Sequence, residues 1–213
     1  LAAVPAAAVI DATGDADVCH LAGERTVFSG DNRKACWAYF AVDGRLVRAR
    51  PQDRPAGALP RGVRTYRGDV PADVTEMNIE TRRLAAKAIR RLKREHETDD
   101  VSAISLPAYP SFRMTRRLVG VSELRGEHAR QWHPEAVGMT GVWYMKGPVY
   151  AIPWGCLIGR KTANLAVAGR CISAEGKAWD VTRVIPPCAV TGQATGTAAA
   201  MAARSGAALA DLD

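Results

Sequence analysis

The chain has 213 residues, 47% of them hydrophobic and 24% charged, with a formal net charge of +7. That balance belongs to a globular domain with one good core and excludes a disordered chain. Five cysteines, Cys19, Cys36, Cys156, Cys171 and Cys188, form no CxxC pair and leave an odd one over. Neither a zinc cluster nor a disulfide framework is indicated, and a reducing cytoplasm is the expected setting.

The opening LAAVPAAAVI lacks a basic n-region and is too short to span a bilayer, so no membrane role is expected. Within it, Ala6 to Ile10 reads as a short buried strand, and Asp11-Ala12-Thr13-Gly14-Asp15 turns sharply after it. Asp17 to Ala22 reads as a helical turn carrying His20, which reads as a structural or surface residue. In ACWAYFAVDGRLVRARP two β-prone runs flank Asp43-Gly44, a hairpin signal because a type I′ turn needs positive φ at both central residues. Trp37, Tyr39 and Ala41 share one strand face there, and Phe40 and Val42 the other.

Pro51 to Gly62 reads as a loop and Gly62 to Gly68 as a short strand. Asp73 and Glu76 form a capping-box pattern ahead of a helix expected over 74–96, with Met77, Leu84, Ala88 or Ile89, and Leu92 as its buried stripe. Much of the net charge lies on that helix, in Arg82, Arg83, Lys87, Arg90, Arg91, Lys93 and Arg94. No aromatic residue interleaves with these cations, so a solvated face is favoured over a nucleic-acid surface.

Val101 to Leu106 reads as a strand, and so does Phe112 to Val119, where Arg113 and Arg117 share a face. His128 and His133 stand five apart with Pro134 behind them, a poor arrangement for a metal, and no metal is expected. Val142 to Ile152 reads as one apolar strand, turning at Pro153-Trp154-Gly155-Cys156.

The last quarter, NLAVAGRCISAEGKAWDVTRVIPPCAVTGQATGTAAAM, divides into a strand at Leu165 to Ala168, a Gly-Arg turn, a polar loop and a small-residue helix beginning near Pro187. The first N–H groups of a helix lack intrahelical partners and sit at the positive end of its dipole. An electron-rich oxygen or a phosphate is stabilised there. Gly192, Ala194, Gly196 and Ala198 leave little bulk, so a flat ligand can approach the helix closely. Ligands of open α/β sheets sit beyond the carboxyl ends of strands, so the turns at Gly14 and Gly169 are expected to border one site.

VIDATGDADV, YAIPWGCLI, NLAVAGRCIS and RVIPPCAVTGQATGTAAA, taken in this order, resemble the FAD-dependent oxidoreductases of the glutathione-reductase-like superfamily, specifically the fumarate reductase or succinate dehydrogenase flavoprotein-like members. The resemblance implies an α/β fold with an α+β insert: a partial FAD-binding Rossmann-like domain in residues 1–30 and 153–213, with a sheet-rich substrate or cap domain inserted over 31–152. It implies FAD as cofactor and two-electron transfer with a small-molecule substrate. The GxGxxG cradle such proteins carry does not occur in these residues. The chain therefore reads as the C-terminal portion of a longer protein, or a truncated copy, whose partner is a missing N-terminal dinucleotide-binding segment. The alternative is a nonenzymatic remnant or basic binding module unable to retain FAD.

By the same resemblance, Thr13, Gly14 and Asp15 lie near the adenosine and pyrophosphate part, with Gly169 and Arg170 at the turn after the last strand. Pro187, Cys188, Ala189 and Val190 face the flavin at the helix start, all but the proline through backbone N–H groups, and Gly192 and Gln193 follow. Arg183 faces the flavin or the substrate. Arg113 and Arg117 match an arginine-rich segment of the substrate half, where guanidinium groups suit an anionic substrate.

Overall fold

The computed structural model describes residues 3–30, 32, 38–49, 64–106 and 112–212, so the expectations for Trp37 and for the loop over 51–62 lie outside it. The fold is mixed α/β, in two compact units: Ser29–Thr115, and Leu1–Phe28 with Arg116–Asp213. Residues 116–152, expected in the insert, thus fold with the two terminal segments.

The larger unit begins with β1 (Val9–Asp11), α1 (Asp17–Leu21) and β2 (Thr26–Phe28). In the smaller unit, β3 (Ala38–Val42) and β4 (Arg45–Ala49) form the expected hairpin, with φ of +46° at Asp43 and +70° at Gly44. After α2 (Pro71–Glu95), β5 (Val101–Ser105) pairs antiparallel with the free edge of β3, giving the order β4-β3-β5. Alternation turns Ala38, Phe40 and Val42 to one buried face, and α2 lays Ala88 and Leu92 against them.

The stripe of α2 is Met77, Thr81, Leu84, Ala85, Ala88 and Leu92, at the three- and four-residue spacing read from the sequence. Its start is different. Pro71 occupies the first turn, with Val70 as an N-cap that makes no side-chain bond. The fixed φ of proline begins the helix there, so Asp73 lies inside the first turn. Its carboxylate accepts the Arg67 N–H at 2.8 Å and pairs with Arg64 at 3.1 Å, in place of the capping box. The strand expected over 62–68 reduces, in its described part, to a single bridge between Asn32 and Tyr66. Among the α2 cations, Arg83 pairs with Glu80, Arg91 with Glu95 and Lys93 with Asp99.

The larger unit continues with β6 (Arg116–Leu118), β7 (Ala136–Gly141), β8 (Val149–Pro153), β9 (Leu165–Val167), α3 (Gly176–Thr182) and α4 (Ile185–Ser205). β1 and β9 pair in parallel, Val9 opposite Leu165 and Asp11 opposite Val167. β2 pairs antiparallel with β6, and β7 with β8. Ala166 of β9 packs on Ala198 and Ala202 of α4, together with Ile158 and Leu209. Small residues on both sides let helix and strand approach closely.

Three expectations are corrected in this unit. The apolar run over 142–152 is not one strand: Lys146-Gly147-Pro148 breaks it, with Gly147 at φ +110°, and leaves Trp143 and Tyr144 exposed on a hairpin tip. The strand expected over 112–119 is confined to Arg116–Leu118, where β2 supplies a partner, and Arg113 falls outside it. The polar loop before the last helix contains α3, held by the buried side chains of Ala178, Trp179, Val181 and Thr182. Those four repeat at helical spacing, a signal that the flanking glycine and charges obscured.

Candidate functional site

The site begins at the carboxyl end of β1. Asp11 is fully buried and its carboxylate organises the turn that follows: Oδ1 accepts the Thr13 N–H at 3.0 Å and the Thr13 hydroxyl at 2.7 Å, while Oδ2 accepts the Cys19 N–H at 2.9 Å. A short aspartate side chain bonding its own backbone two residues on is the turn chemistry expected of Asp-x-Thr. The Thr13 hydroxyl also accepts the Asp17 N–H at 3.1 Å, so it is committed to the turn and to the start of α1. Gly14 then takes φ +80°. A Cβ there would lie 2.6 Å from Nη2 of Arg170, so only glycine lets that guanidinium lie over the turn.

Arg170 comes from the end of β9, and its Nη2 stands 3.2 Å from the carboxylate of Asp15. Both side chains are a quarter exposed. Gly169, also at φ +80°, donates its N–H to the Thr191 hydroxyl of α4 at 2.9 Å, and a Cβ on it would touch Cys188. The Thr191 hydroxyl in turn donates to the Pro187 carbonyl at 2.9 Å. Two strand ends some 150 residues apart in sequence are therefore fastened to each other and to the first turns of one helix.

The helix start offers fewer donors than the sequence suggests. α4 begins at Ile185, so Pro186 and Pro187 both occupy first-turn positions and carry no N–H. The Cys188 N–H bonds the Val184 carbonyl at 3.1 Å, while Ala189 and Val190 lie within the helix. The first-turn N–H that the prolines leave is that of Ile185, whose side chain is 86% exposed. Burial pushes the Cys188 thiol up, against the lowering influence of Arg170.

Beside α4 lies a cavity of about 750 Å³, lined by Val190, Gln193, Ala194 and Thr197 of the helix and by Trp154 and Gly155. Gly192 and Gly196 have no atom within 4 Å of the place a Cβ would take. The outer face of α4 is thus low and open, while its inner face, Pro187, Thr191, Thr195, Ala198 and Ala202, is buried.

The expected arginines part company. Arg183 ends α3, pairs with Asp180, and keeps its Nε buried without a hydrogen-bond partner among the described residues. Arg113 is exposed and belongs to the smaller unit. Arg117 is buried in β6 and pairs with Glu123 at 2.7 Å and Glu175 at 3.5 Å. Arg116, its neighbour, faces the other way and pairs with Asp17 at 2.8 Å. The roles of Asp11 and Thr191 were missed in the sequence; Asp two residues before Thr was the available signal for the first, and nothing local marked the second.

A family model described as FAD dependent oxidoreductase matches residues 43–213, which takes in β9, Arg170 and α4 but leaves the Gly14 turn outside the matched span. No curated protein and no solved structure matches the chain.

Proposed function

Because the chain belongs to the FAD-dependent oxidoreductase family, we propose that the strand ends at Gly14 and Gly169 and the outer face of α4 hold part of an FAD, in an enzyme moving two electrons between a small-molecule substrate and the flavin. The observation that carries this reading is the convergence at Arg170: its guanidinium covers Gly14, pairs with Asp15 and follows the glycine that is tied to α4. The residues fit the group in kind. A low helix face beside a cavity of about 750 Å³ suits a flat ring, and a guanidinium at a glycine turn suits a phosphate or carbonyl oxygen.

When bound, the flavin supplies the redox chemistry. The chain's own groups bind and orient it. Arg170 donates to oxygen, Gly14 and Asp15 fix that guanidinium, and Val190, Gln193, Ala194 and Thr197 present the wall of the cavity. Arg183, whose buried Nε has no hydrogen-bond partner among the described residues, is a side-chain donor two residues before the helix start. The inserted-domain architecture is proposed in the same sense, with residues 29–115 as the substrate or cap unit.

A dinucleotide-binding segment is proposed as the remaining partner of this half-site. GxGxxG is absent from these residues, β1 is paired on one edge only among the described residues, and Val9 is 37% exposed. Parallel strands are ordinarily covered on both faces and paired. Among the described residues no helix is long and apolar enough to cross a membrane.

Quenching of flavin fluorescence during titration with the chain tests the reading. Saturable quenching is expected, and Ala194→Trp, which fills the cavity beside α4, is expected to abolish it. Quenching that is absent, or that survives both Ala194→Trp and Arg170→Ala, overturns the assignment.

A further inference from the structure

A second pocket in the larger unit, about 440 Å³, opens beside β2 and β6. Arg25, Arg117, Arg125 and Arg160 line it, with Glu123 and Glu175. The strand register explains the grouping. Val27 lies opposite Arg117, and the Val119 N–H bonds the Arg25 carbonyl at 2.8 Å, so Arg25, Val27, Arg117 and Val119 occupy one face of the pair.

Four of the six charged groups cancel one another in a closed ring. Arg117 reaches Glu123 at 2.7 Å and Glu175 at 3.5 Å, and Arg125 reaches Glu123 at 3.0 Å and Glu175 at 3.2 Å. Arg117 also donates to the Leu118 carbonyl and lies over the ring of Trp179, 5.7 Å from its centroid. Burial raises the Glu123 carboxyl, but Arg117 and Arg125 outweigh it and hold the group below the usual carboxylate range. The floor of the pocket is therefore ordered and locally neutral.

The other two guanidiniums are not cancelled. Arg160 donates through Nε to the Gly120 carbonyl at 3.2 Å and through Nη2 to the Val121 carbonyl at 2.6 Å, contacts that fix its position and leave its charge intact. Arg25 is exposed and has no carboxylate within ion-pair distance among the described residues. Two full positive charges thus face a preformed concavity, one of them already oriented by carbonyls, which removes part of the ordering cost of binding.

We propose that this pocket is a binding site for a compact dianion, held by paired hydrogen bonds from Arg25 and Arg160 above the neutral Arg117–Glu123–Arg125–Glu175 ring. Two guanidiniums match two negative charges, and their planar forks suit the oxygens of a phosphate or of a dicarboxylate. No residue of the Gly14 and Gly169 turns or of α4 lines it, although Val121 lines both this pocket and the cavity beside α4.

Calorimetric titration of the chain with inorganic phosphate, with malonate and with acetate, at matched ionic strength and neutral pH, tests the proposal. At least one of the two dianions is expected to bind at least tenfold more tightly than acetate; which one does so assigns the tetrahedral or the dicarboxylate geometry. Arg25→Gln and Arg160→Gln are each expected to weaken that binding about tenfold, and Arg204→Gln, on an exposed turn of α4, to leave it unchanged. Arg25 is exposed and makes no side-chain bond to another described residue, so its variant is expected to retain the fold, which the unfolding midpoint checks. The proposal is overturned if neither dianion binds better than acetate, if Arg25→Gln has no effect, or if Arg204→Gln weakens binding as much. No flavin enters the experiment, so its failure and that of the flavin reading are distinguishable.

Discussion

Glu24 offers the sharpest test of the physical account of the larger unit. It is 6% exposed, and its carboxylate accepts backbone N–H groups from Arg160 at 3.1 Å, Lys161 at 3.1 Å and Thr162 at 2.6 Å. Gly159, whose missing Cβ leaves room for the same carboxylate, completes the wrap. These three residues lead into β9, so the carboxylate fixes the entry to the strand that carries Gly169 and Arg170. Hydrogen bonds to a charged group contribute roughly 1.5–3 kcal/mol each, but water replaces part of the loss in this half-open turn, so Glu24→Ala is expected to cost about 3 kcal/mol. For a chain of this size that corresponds to a fall in Tm of roughly 6–12 °C.

The assay is urea unfolding followed by tryptophan fluorescence, since Trp132, Trp143, Trp154 and Trp179 all lie in the larger unit. Burial alone would raise the Glu24 carboxyl, yet the N–H groups of Thr162, Arg160 and Lys161 outweigh it and hold the group below its ordinary range. A carboxyl lowered on folding contributes stability that is fully present above the unfolded value, about 4.3, and is lost as pH falls through the folded value. The gap between the parent chain and Glu24→Ala should accordingly stay constant from pH 7 to 6 and close in acid below about pH 4. A gap under about 0.5 kcal/mol at pH 7, within the range of an ordinary surface substitution, refutes the reasoning.

Three further outcomes are expected. Gly14→Ala forces an L residue to φ +80° and drives its Cβ against the Arg170 guanidinium; the loss should be about 1–2 kcal/mol in urea unfolding, with weaker flavin quenching, and unchanged stability would argue against the close packing. Arg117→Met should cost about 3 kcal/mol by leaving Glu123 short of one partner, a penalty that shrinks as acid protonates Glu123, whose carboxyl is held low in the folded chain. Burial pushes the thiols of Cys156 and Cys171 to about 12, so alkylation at neutral pH with mass-spectrometric mapping should leave both unmodified in the native chain and modify both in urea; rapid native labelling of either would contradict their burial.

Much of the fold was legible because the signals are local. Asp43-Gly44 dictates a hairpin whatever surrounds it, since the turn needs positive φ at both residues. The stripe from Met77 to Leu92 dictates a helix because its spacing follows the helical period. Gly14 and Gly169 could be read as turns, and the four ordered motifs could be read as a flavoprotein family, because each lies in a short contiguous stretch. Boundaries were less legible: Pro71 and Ile185 start their helices earlier than the residues around Asp73 and Pro187 suggest, as a helix start depends on φ at a single position.

What the sequence alone determined is therefore the identity of the segments: two short strands ending in glycine turns, the first confined to Val9–Asp11 rather than the buried run over Ala6 to Ile10, a long cationic helix, a hairpin and a final helix of small residues. Only the tertiary structure decided which of them meet. The parallel pairing of β1 with β9 joins Val9 to Leu165, far apart in the chain, and no residue in either strand names its partner. The placing of Arg170 over Gly14 depends on that pairing, and the ring joining Arg117, Glu123, Arg125 and Glu175 depends on where β6, paired with β2, comes to lie. A charge acquires its function from what lies within a few ångströms of it, and that distance is set by packing between segments remote in sequence.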